Sequence, residues 1–258
     1  MEIWQAIVLG MAQGLTEFLP VSSSGHLMLL ERLFGIRENG LLYSVFMHLG
    51  TLVPVCIVFF KHVLDLFKNP KKRLVPLILA TLPAGVVGLA VGVLVDLDGL
   101  FICYPWLLSV TFLLTAIELF VCQRIENKRM PGKLISNKRA LVMGVGQALA
   151  VFPGLSRSGT VIFSGSLAGV DREENARFTF LMSVPIIVSA VLLEGGKAIT
   201  TPNVSVDVLP LVFGVISAGV FGYISVAFTM KIIKSAKYSF LSIYLVIVAI
   251  INMVLGII

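Results

Sequence analysis

Residues 3–30 read IWQAIVLGMAQGLTEFLPVSSSGHLMLL, and the fold turns on the middle of this stretch. Its flanks are apolar enough for lipid, yet Pro20-Val21-Ser22-Ser23-Ser24-Gly25 interrupts them. Proline followed by a serine–glycine cluster stops one helix and starts another. Each flank has roughly 10–15 residues, whereas a helix needs about 20 apolar residues to cross the hydrocarbon. The stretch therefore predicts a hairpin of two helices that enters the bilayer and returns. The pattern recurs at 138–168, KRALVMGVGQALAVFPGLSRSGTVIFSGSLA, broken by Pro153-Gly154-Leu155-Ser156-Arg157-Ser158-Gly159. Non-helical backbone at that depth is tolerated only inside protein or along a wet cavity. Both breaks are expected to line such a cavity.

The remainder of the chain supports a membrane setting. Of 258 residues, 57% are hydrophobic and 13% charged, with a mean hydropathy of +0.99. A soluble domain keeps roughly a quarter of its residues charged, and disordered segments lack this apolar content. Six runs are long enough to span, at roughly 41–60, 75–95, 104–122, 178–194, 210–230 and 239–257. The first, third and fifth connections carry the basic residues, from Lys61 to Arg73, from Arg124 through Arg129 to Arg139, and at Lys231, Lys234 and Lys237. The second and fourth hold only Lys197. This alternation is the positive-inside signature. It places the basic loops in the cytoplasm and residues 96–103, 195–209 and the C-terminus outside. Topology thus accounts for the net charge of +6, and no nucleic-acid partner is expected.

Sliding the chain by 134 residues aligns Ala6–Leu27 with Ala140–Val161, nine of the twenty-two positions being identical. The same offset pairs Pro76 with Pro210, Ala84 with Ala218, Gly85 with Gly219 and Gly88 with Gly222. The expected fold is an all-α polytopic membrane protein of two inverted-topology repeats. Each repeat is a re-entrant helix hairpin plus three transmembrane helices. Repeat one covers about 1–124, a cytoplasmic linker about 125–134, and repeat two about 135–258, in a single membrane domain. An odd number of spans per repeat turns the second upside down, so the tips at Ser22–His26 and Ser156–Thr160 should meet near the midplane.

The two tips differ in chemistry. Glu17, Ser23 and His26 in the first correspond to Val151, Arg157 and Thr160 in the second. Ionisable residues at membrane depth are costly and point to function, although a structural ion pair between Glu17 and Arg157 is the competing explanation. Helix N-termini starting at the serines offer free N–H groups to an anion. The expected phosphate-binding groups are Ser22, Ser24 and Gly25 from one tip, and Gly154, Ser156, Ser158, Gly159 and Thr160 from the other. Arg157 adds a planar fork suited to phosphate oxygens. A carboxylate beside a diphosphate calls for an intervening divalent cation, Mg²⁺ or Ca²⁺. Glu17 would hold it, with Gln13 one helical turn away. His26 is the expected base, acting on Ser23 or on water.

Residues 13–26 and 153–160 closely resemble the two signatures of the bacitracin-resistance family of undecaprenyl-diphosphate phosphatases, in order and spacing along essentially the full chain. The resemblance implies hydrolysis of undecaprenyl diphosphate to undecaprenyl phosphate and inorganic phosphate. That reaction supplies lipid carrier for peptidoglycan synthesis, and excess enzyme confers bacitracin resistance. It implies a multi-pass protein of the bacterial inner (cytoplasmic) membrane with its site facing outward. It also assigns the essential acid to Glu17, the serine to Ser23, the histidine to His26 and the phosphate-binding arginine to Arg157. One position departs: the first acid of the family's E-x-x-x-E motif is Gln13, a neutral ligand that holds a cation more weakly. The rival function is a transporter or flippase of a polyprenyl phosphate lipid, since transporters use the same inverted architecture. The expected partners are the polyprenyl diphosphate and membrane lipids, and a homodimer is left open.

Other residues receive structural roles. His48 is expected to pack or hydrogen-bond within its span. Asp171-Arg172-Glu173-Glu174 reads as a capping box opening a helix at 172. Glu118 and Glu194 should reach the interface from span ends, and Pro54 and Pro185 should mark kinks. Cys56, Cys103 and Cys122 follow no metal or disulfide spacing. Met1-Glu2-Ile3-Trp4 lacks the basic region of a cleavable signal, so the mature chain is expected to begin there.

Overall fold

The computed structural model describes residues 1–36, 40–128, 132–200 and 207–257. Arg129 in the linker and residues 201–206 of the fourth connection lie outside them, as do the side chains of Glu194 and Lys197.

Among the described residues the chain is helical, apart from one bridge between Lys133 and Val170. The first hairpin is α1 (Ile3–Phe18) and α2 (Ser23–Leu33), and the second is α8 (Asn137–Leu149) and α9 (Arg157–Leu167). Both breaks fall at the proline–serine clusters. Helices α5 (Leu74–Leu94), α7 (Trp106–Asn127), α10 (Arg172–Thr200), α11 (Val208–Ser235) and α12 (Ser239–Ile257) are long and apolar enough to cross a membrane.

The first expected span differs from the other five. It is α3 (Gly40–Val58), whose stretch Tyr43–Val58 passes the same test together with α4 (Phe60–Lys68), and α4 turns away by 76°. The bend follows one turn after Pro54. Part of the basic connection is thus helical. Phe60, Leu64 and Phe67 are exposed on α4 beside Lys61 and Lys68, a mixture suited to a bilayer interface. The second connection likewise forms a short helix, α6 (Leu97–Cys103), capped by Asp96 accepting from Gly99 N–H at 3.0 Å.

Helix α10 starts at Arg172 as expected, with Asp171 Oδ1 accepting the N–H groups of Glu173 and Glu174 at 3.0 and 3.3 Å. The reciprocal half of the capping box is replaced, because Glu174 pairs with Arg73 instead. Pro54 and Pro185 both sit inside helices, α3 and α10.

Lipid tails give helices little hydrophobic reason to associate, so small residues and polar contacts join them. Helix α1 lies against α11 where a Cβ on Gly14 would come within 2.7 Å of Gly222 N. Ser217 Oγ donates to Ile7 O at 2.9 Å and Ser225 Oγ to Leu15 O at 2.6 Å. Gly10 meets the Gly214 backbone, and Gly144 on α8 meets the Ala80 backbone on α5, the same contact displaced by 134 residues. Helices α7 and α12 are joined by Ser109 Oγ donating to Ala249 O at 2.9 Å and Ser242 Oγ to Ala116 O at 2.7 Å.

Candidate active site

The two tips follow one local rule. After α1 the chain turns through Leu19–Val21, and Ser22 takes φ +69°, a left-handed value uncommon for a residue with a Cβ. Its Oγ accepts Gly25 N–H at 3.3 Å, and α2 begins at Ser23. In the second tip Gly154 takes φ +85°, where glycine suffers no Cβ clash. Ser156 caps α9 by accepting Gly159 N–H at 3.1 Å. First-turn N–H groups at Ser23, Ser24, Arg157 and Ser158 have no acceptor within their own helices.

The tips meet. Ser158 Oγ donates to Leu19 O at 3.1 Å, and a Cβ on Gly25 would lie 2.9 Å from Gly154 Cα. From α7, Thr115 Oγ1 donates to Gly154 O at 3.2 Å and accepts Ser156 N–H at 3.0 Å, pinning the second tip.

Between them lies a cavity of about 260 Å³, lined by Glu17, Ser22, Ser23, Ser24, Ser156, Arg157 and Ser158, with His48, Gln147, Ala84, Gly88 and Ile186 among its walls. It has room for several waters or for a phosphorylated headgroup. It is too small for a long isoprenoid chain.

Glu17 is the hub. Its Oε1 meets the Arg157 guanidinium from the other hairpin. Its Oε2 accepts Ser23 Oγ–H at 2.6 Å and Gln13 Nε2–H at 3.0 Å, and His48 Nε2 stands 3.4 Å away. The Glu17 side chain is 1% exposed, so these partners replace the water its carboxylate has lost. Acid, hydroxyl and guanidinium thus come together, with Glu17 rather than His26 beside Ser23. The ion pair first weighed as a rival explanation is part of the same cluster.

Two expected site residues point elsewhere. His26 Nδ1 lies 2.7 Å from Ser22 O, a carbonyl that can only accept, so Nδ1 carries the hydrogen. Nε2 is 2.8 Å from Tyr244 Oη on α12, and the ring stacks on Tyr244 and meets Phe112 edge-on. His26 is thus absent from the cavity lining and hydrogen-bonded to the loop bearing Ser23. Thr160 Oγ1 donates to Glu118 Oε2 at 2.7 Å, which also keeps Glu118 from serving as a free interfacial acid. Gly25, Gly154 and Gly159 are packing positions. A Cβ on Gly25 would lie 2.6 Å from Phe112 Cζ, and one on Gly159 would lie 3.1 Å from Ser156.

His48 was the residue the sequence concealed. Helix α3 carries it to Glu17, and its Nδ1 bonds Ser44 O at 2.7 Å. A lone histidine in an apolar span gives no signal of this. Gln13 is fully buried, and its Oε1 has no hydrogen-bond partner.

Among the described residues no three His, Cys, Asp or Glu side chains converge on one point. The protein alone therefore offers a cation one carboxylate, Glu17, with the spare Gln13 oxygen beside it. Mg²⁺ is commonly held by one or two carboxylates plus substrate phosphates, and this donor set fits a cation that shares its coordination with a phosphorylated ligand.

The family described as Bacitracin resistance protein BacA matches residues 6–251. A protein named undecaprenyl-diphosphatase from Carboxydothermus hydrogenoformans is 38% identical over 99% of this chain and 98% of its own length. One of the same name from Methanosphaera stadtmanae is 36% identical over 100% and 99%. Undecaprenyl-diphosphatase 4 of Bacillus thuringiensis subsp. konkukian is 39% identical over 89% and 88%.

Proposed function

Since the chain belongs to the bacitracin resistance protein BacA family, we propose that it turns over a polyprenyl diphosphate between its two hairpin tips, with Ser23 as nucleophile, Glu17 as proton acceptor and Arg157 as phosphate clamp. The reaction is hydrolysis of undecaprenyl diphosphate to undecaprenyl phosphate and inorganic phosphate. It returns the lipid carrier to peptidoglycan synthesis, and bacitracin, which sequesters the diphosphate, is countered by excess enzyme.

The observation that carries the choice of nucleophile is the 2.6 Å contact between Ser23 Oγ and Glu17 Oε2. A hydroxyl is a weak nucleophile until an adjacent base takes its proton, and Glu17 stands where that base must be. Ser23 Oγ attacks the terminal phosphorus, its proton passes to Glu17, and the bond to the bridging oxygen breaks. Undecaprenyl phosphate leaves. Water then attacks the phosphoserine while protonated Glu17 returns its proton to the departing Ser23 oxygen, which releases inorganic phosphate and restores both side chains. Arg157 exchanges its contact with Glu17 for phosphate oxygens as substrate enters. Ser24, Ser156, Ser158 and the first-turn N–H groups surround the same space.

His26 serves this chemistry as a positioning residue. Its bond to Ser22 O holds the left-handed turn that sets Ser23 against Glu17. A Mg²⁺ or Ca²⁺ ion, held by Glu17 and Gln13, would neutralise phosphate charge near the carboxylate.

The isoprenoid chain leaves the cavity between α5 and α10, past Ala84, Gly88 and Ile186. Supporting this exit, Gly85, Gly88 and Gly92 of α5 face open space. Their counterpart on α11 is closed, because a Cβ on Gly222 would meet Pro54 Cγ at 3.2 Å and Phe18 Cε2 at 3.3 Å. The protein spans a membrane. Its basic connections lie in the cytoplasm by the positive-inside rule, in the bacterial cytoplasmic membrane, with the site served from the outer side and the two repeats inverted about it.

The deciding experiment measures phosphate release from a long-chain polyprenyl diphosphate by the purified protein in detergent, with Mg²⁺, Ca²⁺ or chelator. Cation-dependent release lost in Ser23→Ala and Arg157→Ala is the expected result. Tight lipid binding without release under any cation would instead favour the flippase.

A further inference from the structure

The two repeats carry one glutamine at equivalent positions, and the structure gives them different surroundings. Gln13 Nε2 donates to Glu17 at 3.0 Å, one turn along α1. Gln147 is its counterpart on α8, and four residues further the second repeat has Val151 in place of the acid. The amide therefore has no carboxylate to serve. Gln147 is 4% exposed, lines the cavity between the tips, and its Nε2 makes no hydrogen bond.

A buried donor left unmet is unfavourable, and natural structures hold few of them. One on the wall of a binding cavity is accounted for when a ligand supplies the acceptor. The cavity it shares with Arg157, Ser156 and Ser158 is rich in donors, so that ligand is an oxyanion. The terminal torsion of glutamine is broad, and a turn about it presents the N–H₂ to an oxygen in the cavity.

We propose that Gln147 is a further phosphate-binding residue, its carboxamide N–H donating to a non-bridging oxygen of the diphosphate on the α8 side of the cavity. This rests on the phosphatase reading above and adds a ligand to its site. Being neutral, Gln147 binds without competing with Glu17 for Arg157. In the unliganded protein its Nε2 makes no hydrogen bond, which separates it from a glutamine whose amide holds the fold together.

The test compares wild type with Gln147→Leu and Gln147→Glu. Two readouts are used: KM and kcat for a long-chain polyprenyl diphosphate, and the rise in Tm produced by inorganic diphosphate, which needs no turnover. Removing a hydrogen bond to a charged group should raise KM by about tenfold or more in Gln147→Leu, with a larger rise in Gln147→Glu from like-charge repulsion. Without ligand, the Tm of Gln147→Leu should equal or exceed that of wild type, while protection by diphosphate is largely lost. Unchanged KM and unchanged protection would overturn the proposal, as would a lowered ligand-free Tm with normal protection. A wild type that releases no phosphate yet shows Gln147-dependent protection would remove the phosphatase reading and leave this site standing. A wild type that diphosphate does not protect, and whose KM is untouched by either substitution, would remove the site.

Discussion

Ser23 Oγ donates to Glu17 Oε2 at 2.6 Å, across the break of a single hairpin, while Arg157 reaches the other oxygen of the same carboxylate from the opposite hairpin. The hydroxyl and the carboxylate come from one repeat and the guanidinium from the other, so docking of the tips brings the cluster together. Ser23→Ala should lower kcat on the order of 10³-fold, and Glu17→Gln by about 10²–10⁴-fold, the range of a positioned general base. Acid-quenched wild type, mixed briefly with a diphosphate labelled in its terminal phosphate, should carry label on Ser23. Full activity in Ser23→Ala would transfer the attack to water.

The role of His26 separates from that of Glu17 by rescue. If it holds Ser22 O, any side chain able to donate there restores part of the activity. His26→Ala should lose about 10²-fold or more in kcat, and His26→Gln should recover a substantial part of it. Tyr244→Phe removes only the remote partner of Nε2 and should cost less than about tenfold. Equal, complete inactivity of His26→Gln and His26→Ala, each with wild-type Tm, would return His26 to proton transfer.

The helices that build this site were legible because membrane physics writes them plainly. Long apolar runs gave the spans, and proline with serine and glycine marked both breaks. Glu17, Ser23 and Arg157 stood out because charged or clustered polar groups are costly at that depth. The aim of His26 and Thr160 was hidden, since Tyr244 and Glu118 lie 218 and 42 residues away along the chain. Spacing along one helix puts His26 next to the serines, yet its rotamer is set by Phe112 and Tyr244 from α7 and α12. His48 makes the expected hydrogen bond within its own span, to Ser44 O, while its approach to Glu17 was hidden for the same reason. The bend after Pro54 was visible as a proline, but its angle depends on what α4 packs against.

The open glycine face of α5 predicts discrimination by chain length. Gly88→Trp places a large ring in the space between α5 and α10, where a Cβ alone meets no atom within 4 Å. Folding should survive, because the position is open where the side chain leaves the backbone, and an unchanged Tm checks this. KM for a long-chain polyprenyl diphosphate should rise by about tenfold, an effect of the size that steric overpacking produces. A short-chain diphosphate, whose tail ends inside the opening, should be hydrolysed as before. An equal loss on both substrates would put the exit elsewhere.

The neutral residue at position 13 offers a test of the proposed cation. Gln13 supplies Glu17 with an N–H and leaves its own oxygen buried and unpaired. Chelator should abolish phosphate release, and added Mg²⁺ or Ca²⁺ should restore it. Gln13→Glu places a second carboxylate one turn from Glu17. Two acids so close repel when no cation is bound, which destabilises the empty site and raises its affinity for a divalent ion. Half-maximal activity should then need about tenfold less cation, since ligand charge tunes affinity in such sites. Without cation the variant should bind diphosphate more weakly than wild type, because the added charge opposes the substrate. A cation requirement identical in the two proteins would take position 13 out of the metal site and leave Glu17 with substrate oxygens alone.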